Sequence, residues 1–217
     1  MPTFSCRALL LDLDGVLVDS ADVIRRNWTR WASGHGLDAA QVVRTAQGRR
    51  TIETVRLVAP HLDADVEAAA LVGDEATETE GVRQVPGARE LIAALPAGSW
   101  AVVTSALRMA AEARLRYVGL PLPAVLVAAD EVANGKPHPE GYLAAARRLG
   151  VPAADCTVVE DAPAGVEAAH AGGMRVLGLA TSHAASELAA ADAVVGTLAL
   201  IRVHVREGGL DVTVPDA

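Results

Sequence analysis

The sequence predicts a doubly wound α/β fold, a parallel sheet covered by helices on both faces, with an α-helical domain inserted after the first strand. Two observations carry the core. Short, nearly continuous apolar runs recur along the chain, as strands buried on both faces require. Alanine-rich stretches of helical character alternate with them. A third observation carries the insertion: between about residues 20 and 83 the alternation stops and only helical patterning is found. That length is too great for a βα connection.

Taken in order, residues 7–13 form the first strand, an apolar run that ends on Asp12 and Asp14 and is followed at once by Gly15. Helices are expected over 22–33, 37–47, 51–58 and 63–78. They make a cap at 19–83, set into a core made of 1–18 and 84–217, with hinges near 18–20 and 81–86. The core resumes with a helix over 86–95, a strand over 100–103, a helix over 108–118 closed by Gly119, and a strand over 125–127. A helix over 138–149 ends at Gly150, and a strand follows at 157–159. The next helix, 163–171, opens on Pro163 and closes at Gly172, as helix termini favour. Strands at 174–179 and 193–195 complete the sheet. Residues 200–214 alternate apolar and polar across Glu207, Gly208 and Gly209, the pattern of a hairpin packed on the sheet edge or on a second chain.

Composition narrows the function. With 51% hydrophobic and 21% charged residues, the chain is too apolar for disorder and ordinary for a globular enzyme. A formal net charge of -8 argues against a nucleic-acid partner. Cys6 and Cys156 have no metal-ligand spacing and suit a reducing interior. The first apolar run is neither a signal peptide nor a membrane span, so the expected location is cytoplasmic, with no membrane partner.

The chemistry is written in what ends each apolar run. The first ends at Asp12 and Asp14, the second at Thr104 and Ser105, and the fourth at Glu160 and Asp161; Lys136 and Asn134 follow the third. In a parallel sheet these ends gather in one crevice. Side chains at i and i+2 of a strand share a side, so two carboxylates there call for a cation or a shared proton. Mg²⁺ suits such oxygen donors. Phosphoryl transfer needs this set. Mg²⁺ and Lys136 neutralise charge and Thr104 donates to a phosphoryl oxygen. Asp12 can attack phosphorus to form an aspartyl phosphate, Asp14 can move the proton, and Asp161 can hold the metal opposite Asp12, with Glu160 behind it or acting through water.

The stretches DLDGVLVDS at 12–20, VVTS at 102–105, GKPHP at 135–139 and VEDAPAGV at 159–166 resemble the four ordered motifs of the haloacid dehalogenase-like hydrolase superfamily. QGRRT at 47–51, ETEG at 78–81 and VPG at 85–87 are similar to its phosphoglucomutase-like and sugar-phosphatase branch, which carries a small helical cap. The resemblance implies a Rossmann-like core, Asp12 as nucleophile, Asp14 as acid/base, Thr104 and Lys136 on the phosphoryl group, and Mg²⁺ on Asp12, Asp14 and Asp161, with the Asp14 main-chain carbonyl a plausible ligand. True haloacid dehalogenases lack the second aspartate. The implied substrate is a small phosphorylated sugar or polyol, handled by a monomer or weak homodimer.

Phosphomutases of the branch share every core motif, but the β-phosphoglucomutases place a histidine ten residues beyond the acid/base aspartate, where this chain has Ile24. That favours hydrolysis. A receiver-type phospho-aspartate module is the rival from another class; it has about half this length and no cap. At the Gly48 turn, Arg49 or Arg50, with Arg49 preferred, closes on the substrate, or both form an exposed basic turn. Ser105 and Asn134 flank motif positions and can touch the phosphate or leaving group. Trp28 and Trp31 read as packing in the cap, with sugar stacking as the alternative.

Overall fold

The computed structural model describes residues 2–215, and the side chains of all of these but 72–77. In chain order the elements begin with β1 (Thr3–Cys6), β2 (Ala8–Leu11) and β3 (Val18–Asp19). Four helices follow: α1 (Ala21–Gly34), α2 (Ala39–Ala46), α3 (Thr51–Val58) and α4 (Ala64–Thr77). The chain then returns through β4 (Arg83–Gln84), α5 (Ala88–Ala93), β5 (Trp100–Val103), α6 (Arg108–Tyr117) and β6 (Leu126–Val127). It continues with α7 (Glu140–Leu149), β7 (Cys156–Glu160), α8 (Pro163–Ala171), β8 (Arg175–Leu179) and β9 (Ala193–Val195). The last two strands are β10 (Arg202–Arg206) and β11 (Gly209–Thr213).

Six parallel strands form the central sheet in the order β6-β5-β2-β7-β8-β9. The alternation of β2 shows why this run is apolar throughout. Leu9 and Leu11 face one layer with Leu91 and Ile92 of α5 and Ala111 and Leu115 of α6. Ala8 and Leu10 face the other, with Tyr142 of α7 and Val166 of α8. Connections wind outward in opposite directions from β2, so the crevice beside it is the switch point at which α/β sheets bind ligands.

The helical cap α1–α4 has a core of its own, built from Trp28, Trp31, Val42, Val55, Ala59 and Leu71 among others. Trp28 and Trp31 meet edge to face with ring centroids 5.4 Å apart, and Trp31 Nε1 donates to Glu67 at 2.8 Å. The two crossings between core and cap are not loose linkers. β3 and β4 pair antiparallel, Val18 opposite Gln84 and Asp19 opposite Arg83, so the hinge segments are joined as a short ribbon.

The chain ends depart from the sequence reading. The C-terminal hairpin forms, but β11 pairs with β1, Thr3 opposite Thr213 and Cys6 opposite Leu210, and a separate antiparallel sheet β1-β11-β10 results. The first residues are therefore a strand, and residue 7 is the bend that leads into β2. Cys6 and Cys156 are buried and free. Among the described residues, no helix is long and apolar enough to cross a membrane.

Candidate active site

β2, β5 and β7 are neighbours, and their carboxyl ends bring Asp12, Thr104, Glu160 and Asp161 together. All four are buried. Lys136, also buried, reaches in from the loop after β6. Its Nζ donates to Asp12 Oδ1 at 2.6 Å and to Glu160 Oε1 at 2.5 Å. Glu160 is committed on both oxygens: Oε1 also accepts from Tyr142 OH at 2.9 Å, and Oε2 accepts from the backbone N–H groups of Asp161 and Ala162 at 2.8 Å. Gly165 lies so close that a Cβ there would overlap this carboxylate. Ser182, on the loop after β8, donates to the Asp161 carboxylate.

Charge is concentrated without being balanced. Carboxylate oxygens of Asp12, Glu160 and Asp161 lie within 4.8 Å of one another and can hold a metal ion. Burial pushes the Asp12 carboxyl up to about 7, against the pull of Lys136. Burial, with Glu160 and Asp12 adding to it, raises Asp161 well above the carboxylate range. Burial opposes the charge on Lys136, but Asp12 and Glu160 outweigh it and hold the ammonium form well above the usual range. Gly15, with φ of +83°, passes against Asp161 where a side chain would collide with its carboxylate.

The cleft above these residues has a volume of about 420 Å³ and is lined from the core by Asp12, Asp14, Thr104, Ser105 and Asp161 and from the cap by Ile24, Trp28, Gly48 and Arg49, among others. Gly48, with φ of +72°, leaves no room for a Cβ against Ala162 of the core. Ser105 Oγ donates to the Gly48 carbonyl at 2.9 Å.

The family model for haloacid dehalogenase-like hydrolases matches residues 6–173. This chain belongs to that family. It is 40% identical over 209 residues to hexitol phosphatase A of Escherichia coli, covering 94% of this chain and 97% of the relative. With 2-deoxyglucose-6-phosphate phosphatase 1 of Saccharomyces cerevisiae it shares 34% identity over 230 residues, 94% of this chain and 92% of the relative. Among solved structures, a hydrolase from Pseudomonas syringae superposes with a TM-score of 0.79 at 25% identity, covering 88% of this chain and 94% of that one. The chain is thus a haloacid dehalogenase-like phosphatase of the sugar-phosphatase branch.

Some residues of this haloacid dehalogenase-like site lie elsewhere than the sequence suggests. Asn134 is exposed and its amide donates to Glu140 at 3.0 Å, outside the main cleft. Arg50 turns from the cleft to the core: Nη1 and Nη2 donate to the carbonyls of Val132 and Ala133 at 3.0 and 2.9 Å. Glu53 accepts from Arg50 Nε and from the Gly135 N–H. This pair from the cap therefore grips the loop that carries Lys136. The Asp14 side chain stands apart from the three-carboxylate cluster. It accepts from Ser20 Oγ at 2.5 Å and from Arg114 Nη1 at 2.9 Å on each oxygen. Arg114 was absent from the sequence reading, yet it sits on the buried stripe of α6 with Ala110, Ala111 and Leu115. A basic residue at that helical spacing is the signal that could have found it.

Proposed function

We propose that the protein is a Mg²⁺-dependent phosphatase that hydrolyses a small phosphorylated sugar or polyol through an aspartyl phosphate on Asp12. The observation that carries this reading is the Lys136–Asp12 contact beside Asp161 at the switch point of the sheet. The donor set fits a hard divalent cation: buried carboxylates whose pKa values are raised, first by burial and then by the neighbouring carboxylates, so that a bound cation would stabilise their charged forms. Asp12 and Asp161 would hold Mg²⁺, with the main-chain carbonyl of Asp14. Glu160 is fully engaged by Lys136, Tyr142 and two backbone donors, which supports a role behind the ligands. When bound, Mg²⁺ would offset the negative charge of the phosphoryl group.

Asp12 attacks phosphorus and the sugar or polyol oxygen leaves with a proton from Asp14. Asp14 then takes a proton from water as that water attacks the phosphorus, and Asp12 and inorganic phosphate are released. Lys136 and Thr104 hold the phosphoryl oxygens. The cap, residues 19–83, closes over the core of 1–18 and 84–217 and excludes bulk water. Gly48 and Arg49 meet the leaving group, and Ser105 anchors the turn that presents them. Asn134, with its amide on Glu140, lines a small pocket beside the cleft with Thr104, Ser105 and Lys136 and supports the loop that carries Lys136. Ile24 lies on the cleft wall, and among the described residues no histidine lines it, which supports water over a second sugar as acceptor. Two buried free cysteines support a reducing, cytoplasmic setting.

The test is phosphate release from hexitol, hexose, pentose and triose monophosphates with Mg²⁺, with and without EDTA, and with product analysis. Release that EDTA stops is expected. No release across the panel would remove the phosphatase reading, and an isomerised phosphosugar in place of phosphate would make the protein a mutase.

A further inference from the structure

The geometry points to Arg114 as the positioning residue of Asp14, an assignment that rests on the phosphatase reading and adds a residue to it. Arg114 is 1% exposed and projects from the last turn of α6. One nitrogen, Nη1, lies 2.9 Å from each Asp14 oxygen, so the carboxylate is held in place by a group fixed to a core helix. Ser20 Oγ, at the start of the cap, bonds only Oδ1. Arg114 Nε and Nη2 are buried with no hydrogen-bond partner among the described residues. Arg114 borders the cleft, yet these two donors are closed off from its surface and carry a desolvation penalty that a structural role does not repay, since a buried ion pair is often replaceable by apolar residues without loss of stability. What the guanidinium does accomplish is to hold one carboxylate in the wall of the cleft. That carboxylate is the one that must meet the leaving oxygen and later the attacking water, and proton transfer is sensitive to such placement.

A positioning role has a signature that depends on the leaving group. A hexitol oxygen needs a proton to depart; p-nitrophenol leaves as a stable phenolate and does not. kcat/KM reports the steps up to departure of the alcohol, so it isolates this first transfer. Arg114→Gln is expected to lower kcat/KM for a hexitol monophosphate by roughly 100-fold and for p-nitrophenyl phosphate by less than about fivefold. Arg114→Lys, which keeps the charge, is expected to lie between Arg114→Gln and wild type on the hexitol ester. Activity on the aryl ester doubles as the check that each variant folds, and the lysine variant serves if the glutamine variant does not fold. Equal losses on the two esters, or no loss on either, would overturn the assignment. A wild-type protein that releases phosphate from neither ester would instead remove the phosphatase reading itself.

Discussion

On the core side of the cleft, Asp12, Lys136, Glu160 and Asp161 hold one another through short hydrogen bonds and backbone N–H groups. On the cap side, Ile24, Trp28, Val43 and Ala46 present apolar surface to the same space, and Gln47, Arg49 and Thr51 supply scattered polar groups. The core wall is built from the ends of neighbouring parallel strands, where backbone geometry leaves little freedom. The cap wall comes from helices and a glycine turn; the cap packs α4 against α6 of the core, and near the cleft it is tied to the core by the hydrogen bonds of Ser105 with Gly48 and of Arg50 with the 132–135 loop. A preorganised charge array stabilises a transition state, whereas shape and a few hydrogen bonds select a leaving group. Changes to the core wall should therefore act on kcat, and changes to the cap wall on KM and substrate choice.

The largest effect is expected at Asp12. Asp12→Asn should lower phosphate release by at least roughly 10³-fold with the fold intact, because in the proposed mechanism it removes the nucleophile. Glu160→Gln comes next. It weakens a fully buried anion that Lys136 depends on, so thermal stability should fall by about 3 kcal/mol or more together with activity. On the cap side, Arg49→Ala should raise KM by on the order of 10-fold with a smaller change in kcat, measured across the monophosphate panel. Arg50→Ala crosses the divide, since it loosens the loop behind Lys136 from the cap side. A loss of a few-fold in kcat is expected; a pure KM effect would mean that Arg50 belongs with the selecting wall.

The pH response gives the smallest and most specific effect. In protein stripped of divalent ions by EDTA, folded Asp12 titrates at about 7 in place of the usual 3.8. The folded state then holds a proton that the unfolded chain has lost. The stability linked to this group is fully present below the unfolded value and is lost as pH rises through the folded one. Melting curves of wild type and Asp12→Asn should diverge in favour of the variant between about pH 4 and 7, and Mg²⁺ should close the gap. Parallel curves would show that Asp12 is not strained by its surroundings.

The strand ends of the core were legible because a parallel sheet converts position in sequence into position in space. An apolar run that stops at Asp12, Thr104 or Glu160 can only stop at the rim. The turn of the cap was half legible: Gly48 marked it and the sequence preferred Arg49 over Arg50 as the residue on the cleft, where Arg49 lies, but how the backbone enters α3 and sends Arg50 to the core was not readable. Three features were hidden for one reason, long sequence separation. β1 is four residues long and finds its partner at Thr213, near the opposite end of the chain. The hinge strands have two residues each and pair across the whole cap. Arg114 meets Asp14 from 100 positions away, and only its place on the buried stripe of α6 betrays it.

The contrast between the two walls depends on Asp12 being the group that carries the phosphoryl intermediate. The most direct measurement is acid quenching of wild-type protein during a single turnover of a hexitol monophosphate with Mg²⁺, followed by mass spectrometry of the peptide that contains Asp12. A phosphoryl group on that peptide, absent from Asp12→Asn, is the predicted result. Phosphate release by Asp12→Asn at the wild-type rate, with no phosphoryl group on the wild-type peptide, would contradict it.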